Sequence, residues 1–207
     1  MSEAGRAVTV LLLPPMLCAP AEVYARIAAL GGEARFDWSR RFDKRFKDSH
    51  RFAIADTRGR LELTVPIAKP QSSHCRWDEI RISDHGQWWD VHRVALESAY
   101  GRTPYFEFYI DRLLPMLTDG VCGRYPLLRD LAGAWDSWIR KTLELPAATD
   151  AESAPLTVCE AGPADREIVL PQYWQIRADK LGFISGLSVL DLIFNLGPEA
   201  VIYLDRL

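Results

Sequence analysis

Three stretches of this 207-residue chain have residue types at spacings that could do chemistry. The first is RFDWSRRFDKRFKDSHR, Arg35 to Arg51, which holds seven Lys or Arg against three Asp, a net +4 on a chain whose formal charge is -3. Guanidinium forks and ammonium groups beside Phe36, Trp38, Phe42 and Phe46 suit phosphate or carboxylate recognition, with the rings open to a base or sugar. The plainer reading is a solvated loop whose charges face water. The second is QWWDVHRVALESAY, where Trp88 and His92 are four apart on one helical face and Tyr100 lies two turns further on. A histidine there could act as a general base or hold a substrate oxygen, or could be a satisfied core residue. Just downstream, TPYFEFY sets Glu107 among Tyr105, Phe106 and Tyr109; the rings read as core, and a carboxylate buried among them would have a raised pKa. The third is LSVLDLIFNLGPEA, Leu187 to Ala200, apolar except at Asp191 and Asn195. Ser188 precedes Asp191 at capping-box spacing, with Asp in place of Glu or Gln, which gives Asp191 a structural job and leaves Asn195 without one unless it closes the helix.

The elements that must position these residues follow from periodicity. Ala7 to Leu13 reads as a buried strand closed by Pro14-Pro15, and AEVYARIAALGG as a helix with Val23, Ile27 and Leu30 on one face and a glycine C-cap. HRFAIADTRGRLELTVPI is a hairpin turning at Asp-Thr-Arg-Gly, and Glu79 to Ser83 a further short strand. Helices are expected at Trp88 to Gly101, at Tyr105 to Met116 after Pro104, and at Leu127 to Leu145. From Leu145 to Glu167 five acidic residues and one Arg stand among Ala, Pro and Thr, the composition of a loop or flexible excursion. A short strand at Glu167 to Leu170 and the terminal helices follow. These elements make an α/β (or α+β) single domain: one small mixed sheet built from the first strand, the hairpin and Ile80 to Ser83, covered by several helices.

Composition removes some function classes. A pI near 5.8 argues against general nucleic-acid or anionic-membrane affinity. Cys18, Cys75, Cys122 and Cys159 lack the spacing of a zinc site or a disulfide framework, so free thiols in a reducing cytoplasm fit best, and no metal is indicated. Arg6 before an apolar run suggests a signal peptide, but Pro14-Pro15 would break its helix and Leu17 before Cys18 is too bulky for lipoprotein processing. Dinucleotide, P-loop, zincin and nucleophile-elbow motifs are absent.

Taken together in order, FDK at Phe42 to Lys44, HR at His50-Arg51, LTVPI, IRIS, WWDVHRVALESAYGRTPYFEFY and the closing LSVLDLIFNLGPEA resemble the WbqC-like protein family, found among bacterial genes for O-antigen and other surface polysaccharides. The resemblance implies one WbqC-like domain over residues 1–207 with a flexible loop at 146–166. It departs from the family pattern where Ser49-His50-Arg51 replaces Arg-Asn-Arg and where Pro14-Pro15-Met16 stands for an aromatic-Pro element. It implies a cytoplasmic biosynthetic enzyme, a transferase moving an acyl or aminoacyl group to an amine of a small molecule or amino sugar. His92, Asp191 and Asn195 are then the catalytic candidates, and Lys44, His50, Arg51, Trp88, Tyr100, Tyr105 and Glu107 the substrate-binding ones. The partner is a small anionic or amine substrate, aminoacyl-tRNA remaining open as donor; no membrane is expected, and the resemblance fixes no cofactor and no oligomeric state. A nucleotide-dependent transferase with an anion-binding basic loop, or a non-catalytic module binding a sugar nucleotide or partner enzyme, are the alternatives.

Overall fold

The first strand, β1 (Thr9–Leu13), stops where Pro14 and Pro15 offer no N–H to continue a ladder. The structure, a computed structural model, describes residues 9–70, 72, 74–148, 157–160 and 169–207, the 157–160 segment by its backbone. Pro20 precedes α1 (Ala21–Ala29), which buries Tyr24, Ala25 and Ile27. Gly31 and Gly32, at φ 65° and 86°, then turn the chain into β2 (Ala34–Phe36). Leu11 lies opposite Ala34 and Leu13 opposite Phe36 in parallel register, so β1, α1 and β2 form the crossover unit that parallel pairing requires.

The basic stretch then leads to the hairpin of β3 (Arg51–Asp56) and β4 (Gly59–Thr64), with Phe52 opposite Leu63 and Ile54 opposite Leu61. Asp56 accepts the Arg58 N–H at 2.7 Å and fixes the turn where the sequence places it. The strand expected at Glu79 to Ser83 is reduced to two isolated bridges, Ile67 with Ile82 and Arg81 with Leu127, after a 3-10 turn at Trp77–Glu79. Pairing with only one or two residues on each side gives this apolar run no ladder to extend.

Helices follow: α2 (Trp88–Tyr100), α3 (Phe106–Leu113), the short α4 (Val121–Arg124) and α5 (Leu128–Thr142). Leu128, Leu131, Ala132, Trp135 and Ile139 give α5 a buried stripe at helical spacing. Its Asp136 and Arg140 are also buried, paired at 2.8 Å; Asp136 accepts the Tyr24 hydroxyl, and Arg140 donates to the carbonyls of Gly32, Ala34 and Pro146. That pair fastens α5 to α1 and to the start of β2.

Within the stretch read from composition as a loop lies β5 (Thr157–Glu160), parallel to the free edge of β1 with Thr9 opposite Thr157. Strand order is therefore β2-β1-β5, so β1 is the central strand of a parallel sheet, and its Val10, Leu11 and Leu13 are buried. The α/β class, the hairpin and the helical cover hold, but the strands form two separate ladders, because the hairpin packs on α2 instead of joining the parallel sheet. Of the strand expected at Glu167 to Leu170, Glu167 and Ile168 lie outside the described residues, and Val169-Leu170 is not in a ladder. The chain closes with α6 (Ala178–Leu181), α7 (Val189–Leu196) and α8 (Glu199–Asp205). Among the described residues, no helix is long and apolar enough to cross a membrane.

Candidate functional site

Two clusters of polar groups gather along β3, one at each end, and α2 supplies a side chain to both. At the open end of the hairpin, where Arg51 pairs with Thr64, the Nε2 of His92 lies 3.1 Å from the Thr64 carbonyl. A carbonyl only accepts, so Nε2 carries the proton and Nδ1 the lone pair. Nδ1 is buried and has no hydrogen-bond partner. The ring stands edge-on to Trp88 at 5.2 Å and Phe52 at 5.5 Å and is 2% exposed. Burial drives its pKa down to about 4, against the opposing pull of the Thr64 carbonyl, so the imidazole is neutral at physiological pH. Trp88 is itself held by its indole N–H, which donates to the Ser83 carbonyl at 3.0 Å.

His50 and Arg51 reach the same end of the hairpin from the basic loop. The His50 Nδ1 donates to the Val65 carbonyl at 3.1 Å while its backbone carbonyl accepts the Val65 N–H; burial lowers this pKa as well. Arg51 contacts Glu62 at 3.5 Å and keeps a buried Nε without an acceptor. Alternation along β3 puts Arg51 on the face of Ala53 and Ala55, which pack against Leu187, and Phe52 on the face that meets His92. The guanidinium of Arg51 and the imidazole of His92 thus sit on opposite faces of one hairpin end.

The rest of the basic loop is tethered as a ledge along the carboxyl ends of β1 and β2. Asp37 N–H donates to the Leu13 carbonyl, Leu17 N–H to that of Asp48, Phe42 N–H to that of Cys75 and Trp77 N–H to that of Arg40. Carboxyl ends of parallel strands are where open α/β sheets bind ligands. Lys44 is exposed on this ledge, next to the Asp43–Arg45 pair at 2.9 Å, whose guanidinium holds the Asp43 carboxyl down at about 2. The aromatic residues are not open to a base or sugar: Phe36, Trp38, Phe42 and Phe46 pack against the core, Phe42 on Trp77 at 4.6 Å. Burying an amphipathic loop's rings leaves its polar groups outward, Arg41, Lys44, Arg45 and Lys47 the most exposed of its cations.

The second cluster surrounds Asp191, which is fully buried. Its Oδ1 accepts from Tyr100 at 2.9 Å, and its Oδ2 accepts from Tyr173 at 2.7 Å and from the Gln175 amide at 2.8 Å. Tyr100 also accepts the Ala55 N–H, and Gln175 bonds both the N–H and the carbonyl of Ile184. Burial raises the Asp191 pKa, and the hydrogen bonds from Tyr173, Tyr100 and Gln175 oppose that rise. The expected capping box is not formed: Ser188 is the N-cap of α7 but makes no side-chain cap bond, and the Asp191 carboxylate turns inward to the tyrosines. Asn195 donates to the Asp191 carbonyl at 2.7 Å and accepts the Ile176 N–H at 3.0 Å, so it braces the 171–176 segment instead of closing the helix.

Of the sequence candidates, the structure brings His50, Arg51, Trp88 and His92 to one end of the hairpin and Tyr100, Asp191 and Asn195 to the other. Eight residues of α2 separate His92 from Tyr100, about 12 Å at a helical rise of 1.5 Å per residue. Tyr105 and Glu107 join neither group. The Tyr105 ring occupies the space a Cβ on Gly197 would need, at φ 56°, and so seats the turn between α7 and α8. Glu107 is exposed in the first turn of α3, where it complements the helix dipole and is not buried among the rings. Tyr173 and Gln175 were missed by sequence reasoning, since a Tyr and a Gln two apart in PQYWQI give no local sign of a partner in α7. Cys18, Cys75 and Cys122 are free thiols, and burial pushes that of Cys18 far up, leaving it protonated.

The sequence pattern described as the WbqC-like protein family matches residues 43–155, more than half of the chain. The chain belongs to that family. In this WbqC-like protein the hairpin-end cluster falls inside the matched span, whereas Asp191 and Asn195 lie beyond it. The chain is also similar to the uncharacterized protein Rv1507c of Mycobacterium tuberculosis (strain ATCC 25618 / H37Rv), 25% identical over 186 residues, with 75% of this chain and 80% of that protein covered. No solved structure matches it.

Proposed function

We propose that this WbqC-like protein is a cytoplasmic biosynthetic transferase that moves an acyl or aminoacyl group onto the amine of a small molecule or amino sugar, in surface-polysaccharide or secondary-metabolite biosynthesis. The observation that carries this reading is His92, a neutral imidazole whose tautomer is fixed by Thr64 and whose Nδ1 lone pair is unused. In that role the acceptor reacts as the free amine: its nitrogen bonds to the acyl carbon, Nδ1 takes the proton that this nitrogen sheds as the bond forms, and the donor's oxygen or sulfur leaves with its electron pair and recovers that proton from the imidazolium. Lys44 and Arg51 hold a phosphate or carboxylate of donor or acceptor at the edge of the basic ledge, and His50, neutral with its N–H on the Val65 carbonyl, positions Arg51 beside it. Asp191 and Asn195 keep Tyr100, and through it α2, in register with β3 and do not react. Because His92 is 2% exposed, the substrate has to part Trp88 or Phe52 from the ring to reach Nδ1.

That closure favours a second reading, a non-catalytic module that binds a sugar nucleotide or a partner enzyme on the ledge. Mass spectrometry of ligand retained through purification, followed by binding and turnover assays with that ligand, separates the two. Loss of turnover in His92→Gln with binding and fold retained supports the transferase. Binding that falls in Lys44→Ala, with no product from the intact protein, removes it.

A further inference from the structure

A groove of about 490 Å³ opens between α3 and the carboxyl-terminal part of α5, lined by Tyr109, Arg112, Trp138, Lys141, Thr142 and Glu144. Its size is in the range of small-molecule sites. Tyr109 and Trp138 stand edge to face, 6.1 Å apart at 83°, and present a right-angled pair of aromatic surfaces. The Trp138 indole N–H is withdrawn from solvent and has no acceptor, while the Thr142 hydroxyl is already committed to the Trp138 carbonyl at 2.9 Å. Arg112, Lys141 and Glu144 are exposed and make no ion pair with one another or with any other described residue. Glu144 holds φ at 55° just past the end of α5, a left-handed position glycine would fill without strain. Keeping a carboxylate there costs roughly 1–2 kcal/mol of backbone energy that a glycine would not.

We propose that this groove is a second binding site, for a zwitterion bearing a flat ring, the chemistry of an aromatic amino acid. The ligand carboxylate lies between Arg112 and Lys141, its ammonium on Glu144, and its ring in the corner of Tyr109 and Trp138. The charge set argues for this class: two cations and one anion around a pair of rings match a carboxylate, an ammonium and a ring, and leave a dianionic phosphate repelled by Glu144.

Isothermal titration calorimetry of the full chain with L-phenylalanine, benzoate, 2-phenylethylamine and uridine monophosphate tests it. L-Phenylalanine is expected to bind at least about five-fold more tightly than either single-charge analogue, the effect of one partly exposed ion pair. Glu144→Gln should weaken L-phenylalanine without weakening benzoate; Arg112→Gln should weaken both without weakening 2-phenylethylamine. Both side chains are at the surface, so these variants keep the fold. No binding of L-phenylalanine up to about 20 mM, an affinity indifferent to the ammonium and to Glu144→Gln, or tighter binding of uridine monophosphate would each overturn the assignment.

Discussion

Asp191 accepts three side-chain hydrogen bonds while fully buried, and the cost of removing them can be worked out bond by bond. Tyr173→Phe deletes the 2.7 Å bond and leaves Gln175 as the one side-chain donor to Oδ2. A hydrogen bond to a charged group contributes about 1.5–3 kcal/mol, so this variant should lose about 2 kcal/mol. Tyr100→Phe removes two bonds, to Asp191 and from Ala55, and strands a strand N–H, which brings its loss to about 3–4 kcal/mol. Asp191→Asn offers one acceptor oxygen where three donors converge, so at least one stays unpaired at a cost of about 1–3 kcal/mol. In the cycle of Tyr173→Phe with Asp191→Asn, the double variant should therefore be more stable than the sum of the singles by about 1.5 kcal/mol. Urea unfolding followed by tryptophan fluorescence gives all four stabilities. A coupling below about 0.5 kcal/mol would refute the reasoning, and so would an Asp191→Asn variant with an unchanged midpoint and abolished turnover. The second result would mean that the carboxylate is there for chemistry and not to hold α2 on the hairpin.

Three further outcomes are expected. His92 is depressed from 6.5 to about 4 on folding, so its contribution to stability is complete above pH 6.5 and is lost as pH falls toward 4, because the unfolded chain takes up a proton the folded ring refuses. The difference corresponds to about 3 kcal/mol; His92→Gln, which can still donate to Thr64, should flatten stability between pH 4 and 6.5 down to the smaller slope from His50, and an unchanged slope would assign the titration elsewhere. Asp136→Ala should cost about 3–5 kcal/mol by leaving the buried Arg140 uncompensated, whereas an Asp136→Leu, Arg140→Met pair should cost less than either single change, as read by urea midpoints. Gly197→Ala should lose about 2–3 kcal/mol from left-handed strain plus the clash with the Tyr105 ring, and Tyr105→Ala in the same chain should recover the clash part; equal loss in both backgrounds would place the cost in the backbone alone.

The elements that were legible in the sequence are those specified by their own residues. The hairpin is encoded by alternation around Asp56 to Gly59, α5 by its apolar stripe, and the α7–α8 turn by Gly197-Pro198, and each falls within three residues of where the pattern puts it. β5 was not legible because a four-residue edge strand in acidic, Ala- and Pro-rich surroundings owes its conformation to β1, about 150 residues earlier, and leaves no periodic trace of its own. The same distinction divides the site. His92 was visible as a helical neighbour of Trp88, but its burial depends on Phe52 and Thr64 across two other elements.

Asp136 and Arg140 show the limit most directly. The sequence pattern assigns them no role, yet the α1–β2 turn closes over them, and the arginine's donors are consumed by Asp136 and by three carbonyls no helical pattern could supply. For Asp191 the sequence does assign a role: its spacing from Ser188 announces a cap, but tyrosines 91 residues before and 18 residues before it in the chain claim the carboxylate first. A local hydrogen bond at a helix end competes with water and contributes about 1 kcal/mol, whereas three donors meeting one carboxylate in the core contribute more than that together. Once burial makes the longer-range partners available, the cap gives way, and a residue that spacing assigns to a helix end becomes the tie between α2, α7 and the 171–176 segment.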